Sequence, residues 1–123
     1  RLVAFEIFLD AIPLPKMGKG TARPKLDLSP FQTVERDFAF VLDANVNADA
    51  VVRAAKMADK DLVTDVRVFD LFAGGAIGKG QKSLAISVVL QPIEATLTEA
   101  DIETVSDKIV ANVAKQTKGV LRG

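Results

Sequence analysis

Apolar positions along this chain switch between a period of two and a helical period, and the switches divide it into elements. Arg36 to Leu42 alternates, with Phe38, Phe40 and Leu42 on one face and Asp37, Ala39 and Val41 on the other. Asn47 stands at an N-cap position ahead of Ala48, Val51, Val52 and Ala55 at helical spacing. Leu62 to Phe72 and Lys82 to Leu90 alternate again around a glycine-rich turn, which predicts a hairpin. Thr98 is placed to cap a second helix. Leu97 and Ile102 stand where a hydrophobic staple belongs, and Asp101 takes the capping-box position. Ile102, Val105, Ile109 and Val113 give that helix its apolar stripe. Gly119 fits a helix C-terminus, and Val120-Leu121 can form a short last strand.

The order is β-α-β-β-α-β, the split βαβ or ferredoxin-like arrangement of the α+β class, with two helices on one face of a four-stranded antiparallel sheet. Phe38, Phe40, Phe69, Leu71, Leu84, Ile86 and Val88 are expected to point at the helices. Val66, Val68, Asp70 and Phe72 are expected to share the opposite face with Asp37, Ala39, Ser83, Ala85 and Ser87. Topology of this kind says nothing about function.

Before this unit, Leu2 to Leu9 also alternates but is apolar on both sides, which predicts a strand from the middle of a sandwich or sheet. Such a segment is too apolar to remain free, so it is expected to dock on its own domain or on a second copy. Ile12 to Pro30 holds four of the five prolines together with Gly18 and Gly20, and reads as an extended linker. The expected division is residues 1–29 as the end of a preceding domain plus linker, and 30–123 as the ferredoxin-like domain. With Arg1 inside a strand-like run and no initiator Met, the chain is expected to be a piece of something larger.

Composition narrows the chemistry. Sixteen basic and sixteen acidic residues cancel, so a nucleic acid would be bound weakly, or through a small local site rather than a basic surface. The absence of Cys and His removes thiolate nucleophiles, Zn–Cys sites and the commonest general base. Most enzyme classes recede.

One constellation remains. Asp70, Phe72 and Ser83 are expected side by side on the sheet face away from the helices. An aromatic ring stacks on a base, a carboxylate accepts from its N–H groups, and a hydroxyl does either job. Each residue also has a bland reading: a solvated strand-end carboxylate, a packing ring, an ordinary sheet serine. The run Gly74 to Gly80 is not a phosphate-binding loop, because its glycine spacing is wrong, Gly80 replaces the Ser/Thr, and a strand follows. Asp59, Asp61 and Asp65 lack calcium-loop spacing.

In these residues the chain resembles the ferredoxin-fold anticodon-binding domain that closes the β subunit of bacterial phenylalanyl-tRNA synthetases. The segments that carry the resemblance are Pro30-Phe31, Val34-Glu35-Arg36-Asp37-Phe38-Ala39, Asp65 to Phe72, Gly80 to Ala85, Thr96-Leu97-Thr98 and Leu121-Arg122-Gly123, in unbroken order. Phe5-Glu6-Ile7-Phe8 with Pro13-Leu14-Pro15 also looks like the end of the preceding domain and its connector.

The resemblance implies a parent ligase of α₂β₂ form that uses ATP and Mg²⁺ to join phenylalanine to its tRNA, with both catalytic centres outside this chain. It implies tRNA and the α subunit as partners, neither DNA nor membrane, a cytoplasmic location, and no cofactor in this segment. It also implies that Asp70, Phe72 and Ser83 meet the first anticodon base, a guanine. The family often carries Tyr where this chain has Phe72, so stacking is retained and a hydroxyl is lost. Arg36 and Lys82, which start strands, are the preferred candidate phosphate contacts, with Lys79 and Arg122 behind them. Two other readings stand beside this one. An ACT-like module would bind an amino acid at a dimer interface, and a general RNA-recognition module would need aromatics on the third strand, where Ser83, Ala85 and Ser87 stand instead.

Overall fold

The computed structural model describes residues 1–14, 25–26, 28–75 and 77–122. Strands β1 (Val34–Asp43), β2 (Val63–Phe72), β3 (Gln81–Leu90) and β4 (Val120–Leu121) form one sheet in the order β2-β3-β1-β4, with every neighbouring pair antiparallel. Helices α1 (Ala48–Ala58) and α2 (Glu99–Thr117) cover one side, giving the expected β-α-β-β-α-β order. Phe38, Phe40, Leu42, Leu84, Ile86, Val88 and Leu90 from the sheet meet Val51, Ala54 and Ala55 of α1 and Val105, Ile109 and Val113 of α2 in a single core. Asn112 Nδ2 ties the helices together by donating to Ala54 O at 2.6 Å.

Local chemistry sets the helix ends. At α2, Asp101 N donates to Thr98 Oγ1 at 3.3 Å and Thr98 N donates to Asp101 Oδ2 at 2.9 Å, closing the expected capping box. The Thr98 hydroxyl, which also donates to Asp101 Oδ2 at 2.7 Å, and then the Thr98 N–H hold the Asp101 carboxyl below its ordinary value. At α1 the N-cap is Asn47 as expected, but its side chain makes no capping bond. Gly119 is not the left-handed residue that ends α2. Lys118 takes that role at φ 57°, while a side chain on Gly119 would run into Leu42 Cδ2 and lie 3.0 Å from Thr117 Oγ1. Close packing, not backbone handedness, is what calls for glycine there.

Two expectations need correction. Leu2–Leu9 is not a strand: the segment is exposed throughout, pairs with no described strand, and carries only a 3₁₀ turn at Leu9–Ala11. Docking on its own domain is therefore not seen. A strand apolar on both faces forms only where other strands and layers bury it, and this segment pairs with none of the described strands. The expected linker from Ile12 to Pro30 lies largely outside the described residues. Its end is fixed by Ser29 Oγ donating to Pro92 O at 2.7 Å and Gln91 Nε2 donating to Phe31 O at 3.0 Å.

The second correction concerns β2. Its pairing with β3 breaks between Val63 and Asp65 and again between Val68 and Asp70. Each break is a β-bulge that shifts the alternation by one residue. Val66 and Val68 pair with Val88 and Ile86 and so belong to the helix side, not the open face. Phe69 turns to the open face, where it lines a depression with Arg67 and Ser87. Leu71 stays on the helix side, opposite Leu84, but is exposed because the strand runs past its cover.

Candidate functional site

The open face is laid out by register, since side chains of paired residues emerge on the same side. One row runs Phe72–Ser83–Val41, the next Asp70–Ala85–Ala39, the next Arg67–Ser87–Asp37, and the last Asp65–Val89–Glu35. Asp70 and Phe72 are therefore two residues apart on one strand, about 6.7 Å, with Ser83 directly across from Phe72 at about 5 Å between Cβ atoms. The helices are on the other side. Asp70, Phe72 and Ser83 come together as the sequence leads one to expect.

Their accessibility differs. Phe72 is 50% exposed on the edge strand, and its ring leans toward the hairpin turn, where a Cβ on Gly75 would lie 3.6 Å from Cζ. Gly75 itself has a φ of 63°, so glycine frees this corner and leaves room above the ring. Asp70 is exposed. Ser83 is 6% exposed, flanked in its row by Phe72 and Val41. It can act only on a group that reaches down between them. Behind Asp70 its row continues with Ala85 and Ala39, both short side chains.

The charge on this face is negative. Glu35, Asp37, Asp65 and Asp70 share it with Arg67, and Arg67 Nε is tied to Asp65 Oδ2 at 2.7 Å. That bond is the largest cause holding the Asp65 carboxyl below its ordinary value. Ser87 Oγ donates to Glu35 Oε1 at 2.6 Å. A surface of this sign repels phosphate and favours groups rich in N–H donors, such as the edge of a base.

Arg36 and Lys82 are not brought to this face. Arg36 pairs with Val88 and Lys82 with Leu42, both on the helix side. Arg36 lies 3.7 Å from Glu99, and Lys82 Nζ donates to Ala44 O at 2.9 Å. Starting a strand puts a residue near one end of the sheet but not on a chosen side of it. The basic residue better placed is Arg122. Its N–H donates to Ala39 O at 2.7 Å, continuing the β4 register so that Arg122 stands opposite Ala39 in the Asp70 row. In the sequence it stands behind Arg36 and Lys82, which start strands, and a two-residue strand has no alternation to show its side.

A roomier concavity of about 430 Å³ lies at the far end, lined among others by Leu62, Pro92, Ile93 and Leu97. It shares no residue with the Asp70 site. Among the described residues no group of three or more acidic side chains could hold a metal ion, and no helix is long and apolar enough to cross a membrane.

A family model described as "Ferredoxin-fold anticodon binding domain" matches residues 29–122. The chain belongs to that family. Curated relatives agree with it. Phenylalanine–tRNA ligase β subunits of Brucella abortus (54% identical over 122 residues), Paramagnetospirillum magneticum (56% over 122) and Ruegeria pomeroyi (59% over 121) each match 98–99% of this chain. The chain spans about 15% of the length of these relatives. Nothing in the comparisons favours the ACT-like alternative. In this ferredoxin-fold anticodon binding domain, the sheet face that carries Asp70 and Phe72 is covered by neither helix.

Proposed function

We propose that this chain is the anticodon-binding part of a phenylalanine–tRNA ligase β subunit and that it reads the first anticodon base, a guanine, on the open sheet face. The observation that carries the reading is the convergence of Asp70, Phe72 and Ser83 on the side of the sheet that bears no helix. The parent ligase would be the α₂β₂, cytoplasmic enzyme that charges tRNA with phenylalanine using ATP and Mg²⁺. Among the described residues of this domain no group of three or more acidic side chains could hold that ion.

Recognition follows from hydrogen-bond chemistry. Guanine presents N1–H and N2–H side by side, and an ionised carboxylate is acceptor-only with two oxygens, so Asp70 can take both. Adenine places a lone pair at N1, which the carboxylate repels. Phe72 supplies a face for the base without preference among bases. Ser83, recessed beside the ring, can donate to or accept from a group that enters the row. The short Ala85 and Ala39 side chains give the base edge room to approach Asp70. With four carboxylates on the face, the phosphate chain is best placed along its margins, where Arg122 stands.

The test is binding of the complete ligase to tRNA carrying guanine or adenine at the first anticodon position, with and without Asp70→Ala. Asp70→Ala should cost about 1–3 kcal/mol of discrimination, by analogy with other bidentate base contacts. Equal binding of the two tRNAs by the unmodified ligase would remove the role given to Asp70.

A further inference from the structure

We propose that the end of the domain opposite the hairpin turn is a docking surface for another segment of the ligase β subunit, one that presents an aliphatic side chain flanked by Lys or Arg. The inference rests on the reading of this chain as part of that subunit, and concerns how the base-reading face is held rather than what it reads.

The concavity of about 430 Å³ at this end is built on the core. Leu62 and Leu97 pack against the buried cluster and Pro92 is fully buried, so together they make a fixed apolar floor. Ile93 lines the same concavity and is 62% exposed. It also lines a second concavity, with Ser29, Pro30, Gln91 and Leu28, and Leu28 is 75% exposed. Ile93 is thus a ridge between two hollows. Two large apolar side chains left in water over an apolar floor form a patch, not scattered exposure.

Charge selects the occupant. Asp61, Glu94 and Asp101 line the first concavity and are exposed, and neither concavity is lined by a cation or an aromatic ring. The ion pairs among the described residues are Arg36–Glu99, Arg53–Asp49, Arg67–Asp65 and Lys108–Asp59, none of which neutralises this rim. The start of α2 draws no anion here, because Thr98 and Asp101 already cap it. Phosphate is repelled and no ring is present to stack a base, so RNA does not fit. An aliphatic side chain fits the floor, and a neighbouring Lys or Arg meets the carboxylates.

Size selects the source. A free-standing complex buries about 1,600 Å² in total, and a patch centred on Ile93 and Leu28 falls well short of that. A tethered segment needs far less, since a short tether raises its effective concentration to about the millimolar range. The polypeptide preceding the domain is tethered at this end: Ser29 Oγ donates to Pro92 O at 2.7 Å and Gln91 Nε2 donates to Phe31 O at 3.0 Å, on either side of Ile93. Asp70 and Phe72 lie at the other end of β2, so docking here holds the domain and leaves its reading face open.

A benzophenone-bearing amino acid should be placed in the complete ligase at Ile93, and in a second preparation at Met57, which is 56% exposed on α1. After irradiation, cross-linked peptides are identified by mass spectrometry. The probe at Ile93 should capture a β-subunit segment outside residues 1–123 that carries an aliphatic residue beside Lys or Arg. The probe at Met57 should not capture that segment. Asp61→Lys combined with Glu94→Lys should cut the Ile93 yield about 10-fold or more, because like charges then face each other. The preference for guanine over adenine at the first anticodon position should be unchanged. No capture, capture confined to residues 1–123, to the α subunit or to tRNA, equal capture from Met57, or a yield indifferent to the charge reversal would overturn the docking surface. Equal binding of guanine and adenine tRNAs by the unmodified ligase would instead overturn the base-reading role and leave the cross-linking result standing.

Discussion

Replacing Phe72 separates binding from folding more cleanly than any other change on the open face. Its ring is 50% exposed, so only about half of its surface takes part in burial. Full burial of such a side chain is worth about 1.5–3 kcal/mol, and truncation here should therefore cost the fold about 1 kcal/mol. The lost base stack is worth about 1–3 kcal/mol, or roughly 5- to 150-fold in affinity. Phe72→Leu keeps apolar bulk beside Gly75 and should lower stability by less, yet it should lose much of the stack. Urea denaturation of the domain paired with RNA titration of the complete ligase reads both quantities. If Phe72→Ala folds and binds as tightly as the unmodified protein, the ring does not stack. If Phe72→Leu restores affinity along with stability, the ring is a packing group and the reasoning fails.

Other changes test separate links. Gly119→Ala should destabilise the domain by more than about 1 kcal/mol, as overpacking of a filled core does, because its methyl would meet buried Leu42; an unchanged denaturation midpoint would contradict the close approach. Thr98→Ala should cost about 0.5–2 kcal/mol through loss of the α2 cap, read in the same assay. Asp101 is held below its ordinary value of 3.8 by that cap, so its contribution is present above that pH and is lost as pH falls through the lowered value. Asp101→Asn should accordingly flatten the acid limb of the stability–pH curve. Arg122→Ala should reduce the salt slope of RNA binding by about 1 without altering base preference, whereas Arg36→Ala and Lys82→Ala should leave that slope nearly unchanged.

Much of this architecture is written in single residues. The spacing of Val105, Ile109 and Val113 and the Thr98–Asp101 pair define α2 without help from the rest of the chain, and the structure reproduces both. Phe38, Phe40 and Leu42 likewise show which side of β1 is buried. The phase of β2 was harder to read because alternation assumes an unbroken pleat. Counting back from Phe72 sends Arg67 and Asp65 toward the core, a charge placement that itself signals a bulge. The two breaks return Val66 to the core and Val68 to the helix side, and put Phe69 on the open face.

The trio survived because Asp70 and Phe72 lie beyond the second break, where alternation resumes in step with β3. Arg36 and Lys82 fall on the helix side of the sheet; proximity in sequence to a site carries no information about the side of the sheet. Leu2–Leu9 illustrates the remaining gap, since an apolar alternating run specifies a strand only when a partner strand and a covering layer engage it. The side chain of Asn47 shows the same on a smaller scale, taking the N-cap position without making the capping bond.

Inosine offers the sharpest check on Asp70, because it is guanine without the N2 amino group and retains N1–H. In the complete ligase, anticodon-loop RNA with inosine in place of the first-position guanine should bind more weakly by about 1.5–3 kcal/mol, the worth of one hydrogen bond to a charged acceptor. With Asp70→Ala the two RNAs should bind alike. An inosine penalty of the same size in both proteins would mean that another group receives the N2 amino group, which contradicts the bidentate contact assigned to Asp70.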